Sequence, residues 1–248
     1  MVGFTHFDFI LRNARGQRAV GFLAPDYSAG EEMLVARPGI AHIRNLVGKK
    51  IGLSKGTYLE YIWVVAAQRA RINPNSVQIV DVLPENAGAL LLQGKVDAIL
   101  SWDPYTTQAL NAVKGINLFD TSQVSGLAWL VLAARPAFLE KRAAETQTVL
   151  RVWQRTTQFI KENPDAAYVI VAEVNHKTLA EVREFAAKDR VLDVAGNRTA
   201  FSYAAGFDSL HGATRKMMDF MVQHKLLGQR LDTAELYEEK YLRGLGGE

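Results

Sequence analysis

Between Val20 and Phe119, short runs of β-forming residues alternate with helical stretches, each closed by turn residues. This alternation restricts the chain to α/β architecture built on parallel strands. Val20–Ala24, Lys50–Leu53, Val77–Val82, Val96–Leu100 and Ile116–Phe119 read as strands, with Tyr58–Ala70, Glu85–Gln93 and Pro104–Val113 as the helices between them. The punctuation agrees. Gly94 fits the position just past a helix end, and Asp103-Pro104 fits an N-cap followed by proline at the first helical position. Four strands with crossover helices, from about Ile40 to Ser125, make one compact lobe.

After a strand at Trp129–Leu132 the pattern turns helical. Val149, Val152, Trp153, Thr156 and Ile160 recur at helical spacing, which predicts a long amphipathic helix over Lys141–Lys161 packed through that face. Asn163-Pro164 opens a further helix over Asp165–Glu173, and Leu179–Ala187 and Leu210–His224 follow. The stripe Met217, Phe220, Met221 and His224 on the last of these reads as core packing.

Composition removes several function classes. A chain of 248 residues, 48% hydrophobic and 22% charged, buries a sizeable core, and its longest apolar stretch, Leu127–Ala134, is far short of the roughly 20 residues a bilayer crossing needs. A net charge of +3 from scattered basic residues does not make a phosphate-tracking surface, which argues against nucleic acid. With no cysteine there is no disulfide, thiolate metal site or cysteine nucleophile. The five histidines lack metal-ligand spacing, no nucleophile-elbow or P-loop string occurs, and we expect no catalytic residue, metal or cofactor. The opening residues Met1–Asp8 show no basic segment followed by an apolar one, so no secretory signal is visible.

Three loops put polar groups beside a helix start or a strand end, where open α/β sheets bind ligands. Ser54-Lys55-Gly56-Thr57 lies between the strand ending at Leu53 and the helix beginning at Tyr58; its amides, its two hydroxyls and the helix dipole suit an anion. Thr57 also reads as the N-cap, with Glu60 completing a capping box, and the two roles are compatible. Asp26-Tyr27-Ser28-Ala29-Gly30 is a second loop, open to an ordinary Asx- or Ser-turn reading. Trp102-Asp103-Pro104-Tyr105 is the third, where Trp102 would cover an apolar part of a ligand and Asp103 would cap its own helix. Trp102, Tyr58 and Trp129 would equally suit an aromatic or heterocyclic solute.

Leu46-Val47-Gly48-Lys49-Lys50-Ile51-Gly52-Leu53, then Gly56-Thr57, Leu92-Gln93-Gly94-Lys95-Val96-Asp97-Ala98, Trp102-Asp103-Pro104 and Phe159–Ala167 resemble, in order and spacing, the substrate-binding components of nitrate, taurine and aliphatic-sulfonate ABC importers, which are grouped with thiamine-pyrimidine precursor binders. The resemblance implies a type II periplasmic-binding-protein fold: lobe one from residues 1–35 plus 130–248, lobe two from 36–129, crossing strands near Met33–Ala36 and Trp129–Ala133, and a ligand cleft between the lobes. It implies ligand contacts from Ser28, Ala29, Gly30, Ser54, Gly56, Thr57, Tyr58, Trp102, Asp103 and Trp129. It also implies capture of a small anionic solute, sulfonate-, taurine- or nitrate-like, for an ABC permease, and a periplasmic or cell-surface location for the full-length form. Against the family pattern, lobe one is expected to lack its leading βαβ portion. Two other uses of related folds fit the sequence less well. The effector lobe of a LysR-type transcription regulator needs a helix-turn-helix ahead of the lobes, for which the residues before Glu32 leave no room. The thiamine-pyrimidine biosynthetic enzymes depend on cysteine-rich metal chemistry that a cysteine-free chain does not offer.

Overall fold

A computed structural model describes residues 1–243 and 245. The chain divides into two compact units: unit 1 is Met1–Ser28 with Ser125–Glu248, and unit 2 is the contiguous stretch Ala29–Val124.

Unit 2 is built on a five-stranded sheet. Its strands, numbered along the whole chain, are β4 (Glu32–Ala36), β5 (Lys50–Leu53), β6 (Gln78–Asp81), β7 (Ala98–Trp102) and β8 (Ile116–Asp120), in the order β6-β5-β7-β4-β8. β5 pairs in parallel with β6 and β7, whereas β4 runs antiparallel to both of its neighbours, β7 and β8. Met33–Ala36, expected as a strand crossing between lobes, belongs to β4 of this sheet and is bonded on both edges. Every residue of β4 is buried, so it reads as a continuous apolar run with no alternation to mark its neighbours. The crossover helices are α2 (Tyr58–Arg69), α3 (Pro84–Leu92) and α4 (Tyr105–Val113). Met33, Val35 and Ile99 pack with Ala87 and Leu91 of α3 and Ala109 of α4. Leu34, Ile51, Leu53, Ile62 and Trp63 are fully buried as well.

Two of the sequence strings serve the sheet itself. Gly94 ends α3 with φ of +66°, the left-handed conformation glycine adopts at least cost, and Lys95 N–H closes back on Leu90 O at 3.0 Å. Asp97 then ties three strands together: its carboxylate accepts Lys50 N–H at 2.9 Å and pairs with Arg37, and its carbonyl accepts Arg37 N–H at 3.1 Å. This cluster sits at the end of the sheet opposite the candidate loops.

Unit 1 carries β1 (Val2–Thr5), β2 (Val20–Leu23), β3 (Asp26–Ser28), β9 (Leu130–Ala134) and β10 (Asp189–Val191). Its main sheet has the order β1-β9-β2, with β9 antiparallel to both partners, and β3 pairs separately with β10. α1 (His6–Ala14), absent from the sequence reading, is capped by Thr5, whose hydroxyl accepts Asp8 N–H at 3.2 Å; it buries His6, Phe7, Phe9 and Ile10. The later helices are α5 (Pro136–Lys141), α6 (Ala143–Glu162), α7 (Pro164–Asn175), α8 (Leu179–Ala186), α9 (Val194–Phe201), α10 (Leu210–Gln223) and α11 (Lys240–Arg243). Asn163 both ends α6, donating to Phe159 O at 2.8 Å, and precedes Pro164 at the start of α7. The face of α6 differs from the expected one. Thr146, Leu150 and Thr157 are buried, whereas Val152 is 54% exposed, because α6 packs on α5, α7 and α11 through the polar-edged stripe. On α10 the expected stripe is core for Met217, Phe220 and Met221, joined by Met218, while His224 is exposed.

The core of unit 1 encloses a polar triangle. His6 Nε2 lies 2.7 Å from Thr214 Oγ1 and 2.8 Å from Tyr237 Oη, and those two oxygens are 2.6 Å apart. Burial holds the imidazole neutral, lowering its pKa from 6.5 to about 3, and pushes the Tyr237 phenol up. An unfolded chain takes up a proton on His6 near pH 6.5 and the folded one does not, so this residue's contribution is complete above 6.5 and declines as pH falls toward 3. Denaturant titrations across that range should show stability falling with acid, with the His6→Gln variant lacking this part of the slope; parallel curves for the two proteins refute the assignment. In unit 2, Leu34→Ala at 1% exposure should cost about 2–5 kcal/mol by the same measurement.

Candidate functional site

An antiparallel strand between parallel ones brings several loops to one edge of the unit 2 sheet. In the register of the ladder Glu32 faces Trp102 and Met33 faces Asp120, so the chain entering β4 meets the ends of β7 and β8. Gly30 N–H donates to Thr121 Oγ1 at 2.9 Å, Thr121 in turn donates to the buried Glu32 carboxylate at 3.2 Å, and Asp103 N–H donates to Glu31 O at 3.2 Å. The loop after β5 lies at the same edge. Lys55 N–H is held by Asp81, Ser54 Oγ by Val82 O, and the Tyr58 ring stacks on Trp102 with centroids 6.0 Å apart and planes 16° from parallel. Gly30, Ser54, Gly56, Thr57, Tyr58, Trp102 and Asp103 are thus assembled within one unit, with Ala29 beside Gly30.

The donors proposed for an anion are largely engaged inside this unit. Ser54 Oγ donates to Val82 O at 2.8 Å, and Thr57 Oγ1 donates to Ser54 O at 2.8 Å while accepting Leu59 N–H at 3.2 Å. Gly56, at φ of +69°, donates its amide to Glu60 Oε2 at 2.7 Å. Glu60 therefore reaches one residue further back than the capping box expected from the sequence, and it is buried. At the start of α4, Asp103 Oδ1 accepts from Thr106 Oγ1 at 2.6 Å, Thr107 Oγ1 at 2.7 Å and Thr107 N–H at 3.1 Å. Pro104 occupies the cap position itself, so Asp103 caps from one residue earlier than expected.

Each of these helix N-termini already holds a carboxylate of the chain, and magnitudes decide what that means. A second anion about 4 Å from a carboxylate costs on the order of 4 kcal/mol at an effective dielectric of ~20, whereas a helix dipole returns at most about 2 kcal/mol. At these two starts repulsion outweighs the dipole, so an anionic group would have to lie away from Glu60 and Asp103. Beside the exposed Lys55, Tyr58, Trp102 and Tyr105 are all partly exposed, and Tyr105 lies 6.5 Å from Trp102 at 57°.

The two candidates in unit 1 are engaged in its own packing. Ser28 is buried at the end of β3, with its amide donating to Ala128 O at 2.9 Å. Trp129 is 4% exposed, packs edge-on against Tyr27 at 5.0 Å and donates its indole N–H to Phe207 O at 3.1 Å. In the same strand, burial and then the charge of Asp189 push the Asp26 carboxyl up to about 7. A separate hollow of about 520 Å³ lies along α6 beside Val152, Arg155 and Phe159 and contains none of the candidate residues. Among the described residues no group of three or more metal-ligating side chains comes together, and no helix is long and apolar enough to cross a membrane.

The cap geometry is directly testable. Asp103→Ala should lower stability by about 1 kcal/mol in denaturant unfolding, and Asp103→Asn, which keeps an accepting oxygen, should recover part of it. An Asp103→Ala variant as stable as the parent contradicts the role.

An aliphatic sulfonates-binding protein of Escherichia coli (strain K12) is 28% identical over 150 residues, covering 60% of this chain and 47% of that protein. One of the same name from Bacillus subtilis (strain 168) is 22% identical over 229 residues, covering 91% of this chain and 65% of that protein. The chain thus spans between 47% and 65% of the length of these curated relatives. Its structure matches the periplasmic aliphatic sulphonate binding protein SsuA from Escherichia coli with a TM-score of 0.73 at 18% identity, over 99% of this chain and 77% of that one. The desulfurization enzyme DSZB matches with a TM-score of 0.66 at 15% identity, over 98% of this chain and 84% of that one. At such identities the likeness establishes the fold, that of the periplasmic binding proteins, in agreement with the α/β architecture and the inserted antiparallel strand. Residues 14–167, which include the whole of unit 2 and its loops, match the family model described as NMT1/THI5 like, and a match over well more than half of the sequence places the chain in the NMT1/THI5-like family.

Proposed function

We propose that this protein is the solute-binding component of an ABC importer: it captures a small organic anion and hands it, chemically unchanged, to a membrane permease. The observation that carries the reading is the gathering of Gly30, Ser54–Tyr58 and Trp102–Asp103 at one edge of the unit 2 sheet, where sheets of this kind bind their ligands. Family membership and two relatives named for sulfonate binding support it. A periplasmic or cell-surface setting accords with the SsuA likeness. The fold also serves a desulfurization enzyme, so fold alone does not separate binding from catalysis. The binding reading is favoured because the carboxylates and hydroxyls at this edge cap helices and tie loops.

A thermal-shift screen of sulfonates, taurine, nitrate and carboxylates tests it. A ligand at about 100 times its Kd adds roughly 2.7 kcal/mol, a rise in Tm of about 5–10 °C for a chain of this size. Flat curves across the whole panel, on a sample with a cooperative unfolding transition, refute solute capture. A ligand that emerges chemically altered from incubation refutes the non-enzymatic part.

A further inference from the structure

The end of the unit 2 sheet opposite the candidate loops gathers positive charge that is scattered through the sequence, and we infer that it docks on an anionic phospholipid surface. The surface and its partner are independent of the solute-binding reading. At this end β4 finishes, its neighbours β5 to β8 begin, and α2, α3 and α4 all terminate. Backbone contacts bring the cations together. Arg37 and Lys50 meet at Asp97, and Lys49 O accepts Gln78 N–H at 2.8 Å. Arg44 Nε donates to Ala70 O at 2.9 Å, at the end of α2, where Arg69 and Arg71 flank that carbonyl in the sequence. Lys95 lies two residues before Asp97, and Lys114 two before Ile116, which faces Ala36 in the β4–β8 ladder. All of these basic residues are exposed except the partly buried Lys49.

Eight basic side chains thus share this end with one carboxylate, Asp97, in a chain whose net charge is only +3, so the rest of the chain is negative on balance. Arg37 pairs with that carboxylate, and among the described residues the other seven pair with none. Helix dipoles favour a cation at each helix end, yet the end of α2 has three, and Lys49-Lys50 stand at a strand start where no such dipole acts. Gathering like charges costs stability, and a partner of opposite sign removes that cost. The neighbouring side chains decide which partner. Val47 and Leu92, two residues from Lys49 and three from Lys95, are 53% and 58% exposed. The stretches 37–50, 69–78, 92–97 and 111–117 that form this end contain no Phe, Tyr or Trp. Exposed aliphatic groups among cations fit the boundary between headgroups and acyl chains. A single-stranded nucleic acid would call for rings on which its bases stack, and this end offers none.

Co-sedimentation of the whole protein with vesicles tests the assignment. Vesicles of phosphatidylcholine with about one third phosphatidylglycerol should carry the protein down at about 0.1 M salt and release it at about 1 M, where the Debye length falls from roughly 10 to roughly 3 Å. Vesicles of phosphatidylcholine alone should leave it in solution. Each Lys or Arg near an anionic bilayer strengthens binding about fivefold, so Lys50→Gln, Arg69→Gln and Lys95→Gln together should weaken it roughly a hundredfold. If that triple variant unfolds, the three single variants, each expected to weaken binding about fivefold, carry the test. Arg151→Gln, Arg155→Gln and Lys161→Gln, all exposed on α6, remove the same charge from unit 1 and should leave affinity within about twofold of the parent. Val47→Ser, with every cation kept, should weaken binding by about threefold or more. Failure to sediment with the phosphatidylglycerol vesicles at the lower salt, or an equal loss in the α6 control, overturns the assignment. So does tighter binding to a DNA oligonucleotide than to those vesicles at the same salt.

Discussion

An antiparallel strand inserted between two strands that run the other way must enter the sheet at the edge where its neighbours leave it. β4 is bonded on both sides and buried along its whole length, so the three segments are held in register by backbone hydrogen bonds in a dry interior, where an unmade bond costs about 1–3 kcal/mol. Everything placed at the candidate site follows from this. Gly30 and Glu32 arrive where Trp102 and Asp120 depart, Thr121 links them, and the parallel partner β5 delivers the Ser54–Tyr58 loop to the same edge. Asp97, Arg37 and Lys50 fasten the opposite end, while the loop end carries the capping carboxylates Glu60 and Asp103 together with the aromatic rings.

Helix starts in α/β proteins attract negative charge, and here the chain supplies that charge itself. Glu60 and Asp103 act over very short sequence distances, four and three to four residues, and so are in place as soon as their helices form. Local capping and anion binding compete for the same amides. In this chain capping has the stronger claim, since the carboxylates are covalently close and bring no cost of association.

Much of unit 2 was legible in the sequence because its strands are short, β-branched and separated by strong punctuation such as Gly94. The position of β4 was not: a strand buried on both faces has no polar alternate to orient it, and only the pairing partners reveal where it lies. The unit 2 loops come together at one end of the sheet, yet their hydrogen bonds are not legible in the sequence, because whether Glu60 reaches Thr57 or Gly56 depends on the turn that Gly56 adopts. Trp129 shows the same limit. An indole at a strand start gives no sign in the sequence of Phe207, far along the chain, which accepts its N–H. β1 and α1 were missed because a four-residue strand containing Gly3 leaves almost no periodic signal, although Thr5 followed by Asp8 is a recognisable helix start. On α6 the packed face is rotated from the most apolar stripe: Val149, Trp153 and Ile160 stay partly buried, and Thr146 and Thr157 are buried because hydroxyls can bond back to their own helix, Thr146 to Arg142 and Thr157 to Gln154.

Unit 2 is one uninterrupted segment, while unit 1 is assembled from both sides of it. Its central strand β9 begins at Leu130, and its buried triangle joins His6 to Thr214 and Tyr237. On a ribosome, which emits the chain from its amino end, the inserted unit has all its strands available once residue 124 has emerged. β1 and β2 must wait for β9 to become a sheet, and His6 waits for nearly the entire chain. The order of synthesis thus separates an early-folding insert from a late-closing host, whose first strands spend the interval without their partner.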